Sequence, residues 1–291
     1  MIGKIISIEA DLFKVLVVDV VYSSKASKLL QHKNLDLRVG DNVEIEKIDE
    51  TKAYITKREE RKNELIRPNV ANIDKAIVCI SLKEPDLNLN LLDRFLSVLE
   101  YNNIDCSIIF TKVDLVNKLE EVNKIINYYK LIGYECYTST TKEDSIVDIV
   151  KRIISKKIVV ITGQSGVGKS SLINLLDPTL NLKTDEISYA LNRGRHTTRV
   201  TSLIRIGDGW IIDTPGFGNL DFTDMDKTSI SQSFREFFKL SLKCKYKGCL
   251  HLNEPDCFVK QEVEKGNILK ERYQNYQQFM KIVSEAKNKY E

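Results

Sequence analysis

No stretch of this sequence approaches the roughly 18 consecutive apolar residues that a membrane-crossing helix requires, although hydrophobic residues make up 42% of it. An excess of one charge sign is also missing. Lys and Arg number 44 against 41 Asp and Glu, a net of +3 over 291 residues. Any charged partner must therefore be read from local clusters rather than from the total. Repeats and low-complexity tracts are absent, and 29% charged residues fit an ordinary folded chain rather than a disordered one. The first ten residues lack the charged head, apolar stretch and small-residue cleavage site of a secretion signal. They read instead as a strand around Lys4–Ile8, and a cytoplasmic protein with no membrane partner is expected. Histidine is scarce, with only His32, His196 and His251.

The length predicts two or three domains at roughly 100–200 residues each. Up to residue 62 the chain reads as short strands joined by polar turns. Phe13–Val20 is one apolar run, Val43–Ile48 alternates after the turn Val39–Asn42, and Ala53–Thr56 follows. This predicts a small β-barrel, with the OB type favoured and an SH3-like barrel the alternative. From about residue 72 the period changes. The apolar runs Lys75–Ile80, Cys106–Phe110, Tyr134–Tyr137 and Ile158–Ile161 alternate with helical stretches. These carry Leu92, Phe95, Leu96 and Leu99 at helical spacing, then lie near 117–131 and 144–154 and begin again at Lys169. Such alternation predicts βαβ units in a doubly wound, mostly parallel sheet. A hairpin is expected about Gly207–Gly209, and beyond residue 220 the chain reads as helical and polar. The expected division is a barrel over 1–62, an α/β domain over 63–220 and a helical domain over 221–291.

Gly163-Gln164-Ser165-Gly166-Val167-Gly168-Lys169-Ser170 matches the phosphate-loop pattern G-x-x-x-x-G-K-S/T. It also has the required apolar strand before it and helix after it. Glycines let successive N–H groups turn toward phosphate oxygens, and a helix N-terminus adds its dipole at the same point. Lys169 is placed for the β- and γ-phosphates, Ser170 for Mg²⁺, and Ser171 for the nucleotide. About fifty residues on, Asp213-Thr214-Pro215-Gly216 closes the apolar run Trp210–Ile212. Asp213 can hold Mg²⁺ through water, and the Gly216 N–H can meet the γ-phosphate.

Thr111-Lys112-Val113-Asp114 follows the run 106–110 and has the N/T-K-x-D pattern of guanine recognition. The Asp114 carboxylate accepts from guanine N1–H and the exocyclic amine; adenine offers no such donor pair, so the wrong base leaves the carboxylate unpaired. The Lys112 stem can lie along the base. Thr138-Ser139-Thr140 resembles the S-A-x loop that contacts guanine O6, with Thr140 in place of alanine. Both base segments precede the phosphate loop, the reverse of the order in ordinary small GTPases. A permuted chain can build the same sheet, because chain termini often lie near each other. In this order the segment after Asp213 runs directly into the C-terminal region, so γ-phosphate sensing can be transmitted there.

Six cysteines fall into two sets. Cys79, Cys106 and Cys136 sit in or beside strand-like runs and are expected to be inert core residues. Cys244, Cys249 and Cys257 lie with His251 within fourteen residues. Three thiolates and an imidazole suit tetrahedral Zn²⁺, and four protein ligands suggest a closed structural site. Lysines and arginines cluster at Lys57-Arg58, Arg61-Lys62, 193–199 and 243–247; each alone reads as solvated surface.

Together these residues resemble the bacterial small-ribosomal-subunit-dependent GTPase A family (RsgA or YjeQ). The likeness includes Arg67–Asp74, Leu92-Asp93-Arg94, Gly194-Arg195-His196-Thr197-Thr198, Asp213–Phe217 and the zinc spacing, with Arg199 where the family often has a third threonine. The resemblance implies a GTPase of late small-subunit maturation, stimulated by that subunit. It also implies an N-terminal OB domain and a C-terminal zinc domain that contact ribosomal RNA. The glutamine that orients water just after D-x-x-G in Ras-type enzymes is replaced by Phe217, so slow basal turnover is expected. His196 is the candidate substitute and Thr198 the candidate Mg²⁺ threonine, with Thr197 the alternative. A monomer is expected. The competing readings are a permuted GTPase of large-subunit assembly and an RNA-binding adaptor that uses GTP as a structural ligand.

Overall fold

The structure is a computed structural model that describes residues 1–32, 35–66, 68–140, 145–180, 201–213 and 221–287. The chain forms two compact units, each assembled from two stretches: Met1–Ala76 with Asp144–Asn219, and Ile77–Glu143 with Leu220–Glu291.

The first unit begins with β1 (Ile2–Glu9), β2 (Leu12–Val17), β3 (Val20–Ala26), α1 (Lys28–His32), β4 (Asn42–Lys47) and β5 (Lys52–Arg58). Antiparallel pairs β1–β2, β2–β3, β4–β5 and β1–β4 are closed into a ring by the parallel pair β3–β5. A five-stranded Greek-key ring is the OB arrangement, which decides between the two barrels expected. Alternate side chains point inward, and Ile5, Val15, Tyr22, Val43, Ile45 and Ile55 fill the interior. The apolar run Phe13–Val20 is not one strand. A two-residue turn joins Val17 to Val20, with Val18 at φ 57°. Val-Asp carries none of the Asn-Gly signal that marks such turns, so the sequence hides it.

Two short strands, β6 (Glu64–Leu65) and β7 (Val70–Ala71), pair beside the barrel. The fully buried Asp41 carboxylate accepts from Arg61 Nε at 2.7 Å and from the Arg38 N–H at 2.7 Å. Gly40 sits at φ +93°, and a Cβ there would strike the Ala71 carbonyl. Only glycine allows this approach.

The chain then crosses to the second unit through β8 (Lys75–Ser81) and continues as α2 (Leu89–Tyr101), β9 (Cys106–Thr111), α3 (Leu119–Leu131) and β10 (Glu135–Thr138). β10 runs parallel to β9, and every residue of β8 and β9 is buried, as a covered parallel sheet requires. Back in the first unit lie α4 (Ser145–Ile154), β11 (Ile158–Gly163), α5 (Lys169–Leu176), β12 (Ser202–Ile206) and β13 (Gly209–Asp213). β11 is parallel to β13; β12 and β13 form the expected hairpin; β12 meets the barrel at Ser7↔Ser202. Cys79, Cys106 and Cys136 are buried and unbridged, as expected.

The second unit ends with α6 (Lys227–Ser233), α7 (Arg235–Ser241), α8 (Phe258–Glu264) and α9 (Lys270–Lys287). Phe234, Phe237, Tyr276 and Phe279 pack as an aromatic core. Beside it the buried Arg272 joins Asp93 of α2 to Glu236 of α7. Asp93 also accepts from Tyr129 at 2.6 Å and from Asn275 at 2.7 Å. Nothing in the sequence spacing pointed to this cluster.

Candidate nucleotide site and metal centre

The phosphate loop is built as its sequence predicts. β11 is buried along its whole length, residues 164–168 turn, and α5 starts at Lys169. Gly166 and Gly168 take φ of 75° and 97°, left-handed values that disfavour any side chain. Gly168 is the helix N-cap, and its carbonyl accepts the first helical bond, from the Leu172 N–H at 2.9 Å. Lys169 Nζ folds back across the loop and donates to the carbonyls of Gly163 (2.7 Å) and Gln164 (2.5 Å). The ammonium therefore stands over the cradle. Ser170, in the first turn, is 4% exposed, Val167 is buried, and Ser165 and Ser171 face solvent. This is an anion-binding geometry.

Asp213 is the last residue of β13 and is opposite Ser202. Thr214–Leu220, with Gly216 and Phe217, lie outside the described residues, as do His196, Thr197 and Thr198.

The base segments lie in the second unit. Thr111 ends β9 and its carbonyl accepts from the Leu82 N–H at 3.1 Å. Lys112 adopts a left-handed φ of 60° and begins a single 3-10 turn, Val113–Leu115. A non-glycine residue held there is uncommon and concentrates at functional sites. Its Nζ donates to the Glu84 carbonyl. The Val113 N–H donates to the Ser139 carbonyl at 3.2 Å, and the Ser139 N–H donates to the Phe110 carbonyl at 2.9 Å. The structure thus joins the two segments that the sequence singled out separately. Asp114 is exposed, and Ser139 and Thr140 are half-buried.

The four candidate metal ligands converge. The ligand atoms of Cys244, Cys249, His251 and Cys257 all lie within 4.8 Å of one another. His251 Nδ1 is 3.3 Å from Cys257 Sγ and 3.7 Å from Cys244 Sγ, and the two sulfurs are 4.0 Å apart. Zn–S bonds of about 2.3 Å in a tetrahedron put sulfurs about 3.8 Å apart, so the donors fit such an ion. The knuckle that carries them turns at Gly248 (φ 74°), His251 (56°) and Asp256 (54°). Glu254, which sequence reasoning missed, accepts from the Leu250 and Leu252 N–H groups at 2.7 and 2.8 Å. Tyr273 and Tyr276 of α9 donate to the carbonyls of His251 and Leu250. Burial pushes the Cys249 thiol up to about 12 and holds the His251 imidazole below its ordinary value.

A strand–loop–helix phosphate cradle, preceded in the chain by joined guanine-type segments, defines a circularly permuted GTPase. The comparisons agree. Residues 58–223 match the RsgA GTPase family description, and the chain belongs to that family. The small ribosomal subunit biogenesis GTPase RsgA of Bacillus cereus is 41% identical over 290 residues, covering 99% of each chain. The crystal structure of YloQ, a circularly permuted GTPase, superposes with a TM-score of 0.83 at 34% identity, over 98% of this chain and 95% of that one. YjeQ from Thermotoga maritima gives 0.85 at 29% identity, over 97% and 98%.

Proposed function

We propose that this chain hydrolyses GTP to GDP and phosphate, is stimulated by the small ribosomal subunit, and acts in late maturation of that subunit. The observation that carries the reading is the Lys169 cradle on β11 and α5; relatives that match nearly end to end are named as biogenesis GTPases of that subunit.

In this reading the loop Gly163–Ser171 holds the triphosphate. Thr111–Asp114 with Ser139 and Thr140 reads guanine. Ser170, Asp213 and Thr198 would hold Mg²⁺, which would supply charge neutralisation at the phosphate groups. The Gly216 N–H meets the γ-phosphate. His196 orients the attacking water, a role open to an imidazole but not to Phe217. One structural Zn²⁺ sits on Cys244, Cys249, His251 and Cys257; the spacing of the donors supports this. The barrel (1–62) and the zinc-bearing region (221–291) flank the GTPase domain (63–220) and contact ribosomal RNA. Exposed Lys243, Lys245 and Lys247 support the second contact. The protein works as a cytoplasmic monomer.

Phosphate release from GTP, measured alone, with small subunits and with large subunits, tests the reading. Acceleration by small subunits alone is expected. Acceleration by large subunits alone would move the protein to the other assembly line. GTP binding with no release in any arm would make it an adaptor.

A further inference from the structure

The four donors of the knuckle are not equally sheltered. Cys249, His251 and Cys257 are buried, the most accessible of them being Cys249 at 7%, whereas Cys244 is half-buried. Its neighbours in the stretch 242–248 are all exposed, so a small solute reaches its sulfur from solvent. That sulfur is 4.0 Å from Cys257 Sγ and 3.7 Å from His251 Nδ1. An accessible cysteine with a second one at hand is the arrangement in which oxidation runs on to a disulfide.

The backbone around the donors is held unevenly too. Residues 250–254 are fastened by bonds that do not pass through a metal. The Glu254 carboxylate accepts from the Leu250 and Leu252 N–H groups, Tyr273 and Tyr276 donate to the His251 and Leu250 carbonyls, and Lys260 Nζ donates to the Leu252 carbonyl at 3.2 Å. The stretch 242–248 rests on less. The Cys244 N–H donates to the Ser241 carbonyl at 3.0 Å, and the Tyr246 carbonyl accepts from the Cys249 N–H at 3.3 Å. Lys245 pairs with Asp256 at 2.8 Å, but both are exposed, and such a pair contributes little. Loss of the metal therefore frees the first stretch and spares the second.

We propose that Cys244 is an oxidation site: a hydroperoxide converts Cys244 and Cys257 to a disulfide, Zn²⁺ leaves, and the lysine-bearing stretch 242–248 loosens while 250–254 keeps its place. This rests on the zinc reading above. The Cys244 thiolate attacks one oxygen of hydrogen peroxide: an S–O bond forms, the O–O bond breaks and hydroxide leaves, the sulfur giving up the two electrons that the peroxide takes. The Cys257 thiolate then attacks the Cys244 sulfur: an S–S bond forms, the S–O bond breaks and a second hydroxide leaves. Two thiolates and one peroxide thus become one disulfide and two hydroxides. Cys249 and His251 alone do not complete a tetrahedral shell, so the ion is released. A thiol reductant reverses the disulfide, and the fastened residues 250–254 give the metal a half-built site to return to.

The test treats the zinc-loaded full chain with hydrogen peroxide and follows free zinc with a chromogenic chelator, residual thiols, and disulfide linkage by peptide mapping. A brief exposure beside a sulfenic-acid trapping reagent identifies the first sulfur oxidised. Zinc is expected to leave with the loss of one thiol pair per ion, Cys244 to be trapped first, and the Cys244–Cys257 linkage to accumulate; reductant and zinc then restore the starting content. In Cys244→His, which keeps a nitrogen donor at that place, peroxide is expected to release zinc severalfold more slowly. Release from the variant at the wild-type rate, first trapping at Cys249 or Cys257, or a Cys249–Cys257 linkage each overturns the proposal. If the variant fails to hold zinc, trapping and mapping on the wild type decide by the same outcomes. A chain that never takes up zinc sinks the metal reading and this inference with it; one that loads zinc and keeps it under peroxide refutes this inference alone.

Discussion

The Val113 amide donates to the Ser139 carbonyl at 3.2 Å, joining segments 26 residues apart into one surface. The bond fixes the 3-10 turn that carries Asp114 against the loop after β10. On the proposed reading, replacing Asp114 removes the carboxylate that would meet guanine N1–H and the exocyclic amine, while the Val113–Ser139 backbone bond does not depend on that side chain. Asp114→Ala is expected to weaken GTP binding by about 10- to 100-fold, the range for unpairing a charged hydrogen-bond partner, with ATP binding unchanged. Calorimetry with both nucleotides reads it; equal losses for both would refute the assignment.

Lys169 stands over the cradle, so its removal should act on turnover. Lys169→Ala is expected to cut phosphate release by about 10²- to 10³-fold, the size of losing one preorganised charge-stabilising group. Single-turnover assays at saturating GTP separate this from weakened binding.

His196 is tested differently. His196→Ala should keep GTP affinity and lose most of the subunit-stimulated rate, on the order of 10²-fold. Stimulated turnover at the wild-type level would remove it from the reaction. Loss of Mg²⁺-dependent turnover in Thr197→Ala but not Thr198→Ala would transfer the metal role to Thr197.

The cysteine cluster should bind about one zinc per chain, measurable by elemental analysis and lost in Cys249→Ser. Burial raises the Cys249 thiol to about 12, so metal uptake near neutral pH must expel a proton there. Zinc affinity should therefore rise with pH and fall in acid. A chelator competition at two pH values gives the sign, and a flat response would exclude thiolate ligation.

Among the described residues, Arg272 is the one cation that pairs with both Asp93 and Glu236. Arg272→Met should destabilise the protein by about 3–5 kcal/mol, as expected for a broken buried pair. Burial holds the Asp93 carboxyl above its usual range. A raised carboxyl favours folding when protonated and loses that contribution as pH climbs through its folded value. Acidifying from neutral should thus recover part of the loss in the variant. Urea unfolding at two pH values checks this; a loss that deepens in acid would contradict it.

The loop 163–170 between strand and helix, the two segments that Val113 and Ser139 join, and the gathering of Cys244, Cys249, His251 and Cys257 were legible in the sequence. Each is a short contiguous pattern whose function depends on local backbone geometry and fixed spacing. The barrel was legible from period-2 alternation and its OB type was the favoured reading, but the strand pairing that settles the type and the turn at Val18 were not legible. Closure is a matter of pairing, and Val-Asp gives no turn signal.

What the sequence by itself determined is the chemistry: a glycine-rich turn before a helix binds phosphate wherever the fold carries it, and four soft donors within fourteen residues gather wherever the chain turns. Only the tertiary structure decided which stretches belong together. It placed the C-terminal helices in one compact unit with residues 77–143, and it closed the contact of Arg272 with Asp93 across 179 positions. Such contacts arise from burial and charge pairing between faces that no spacing rule connects, and they leave no periodic mark in the chain.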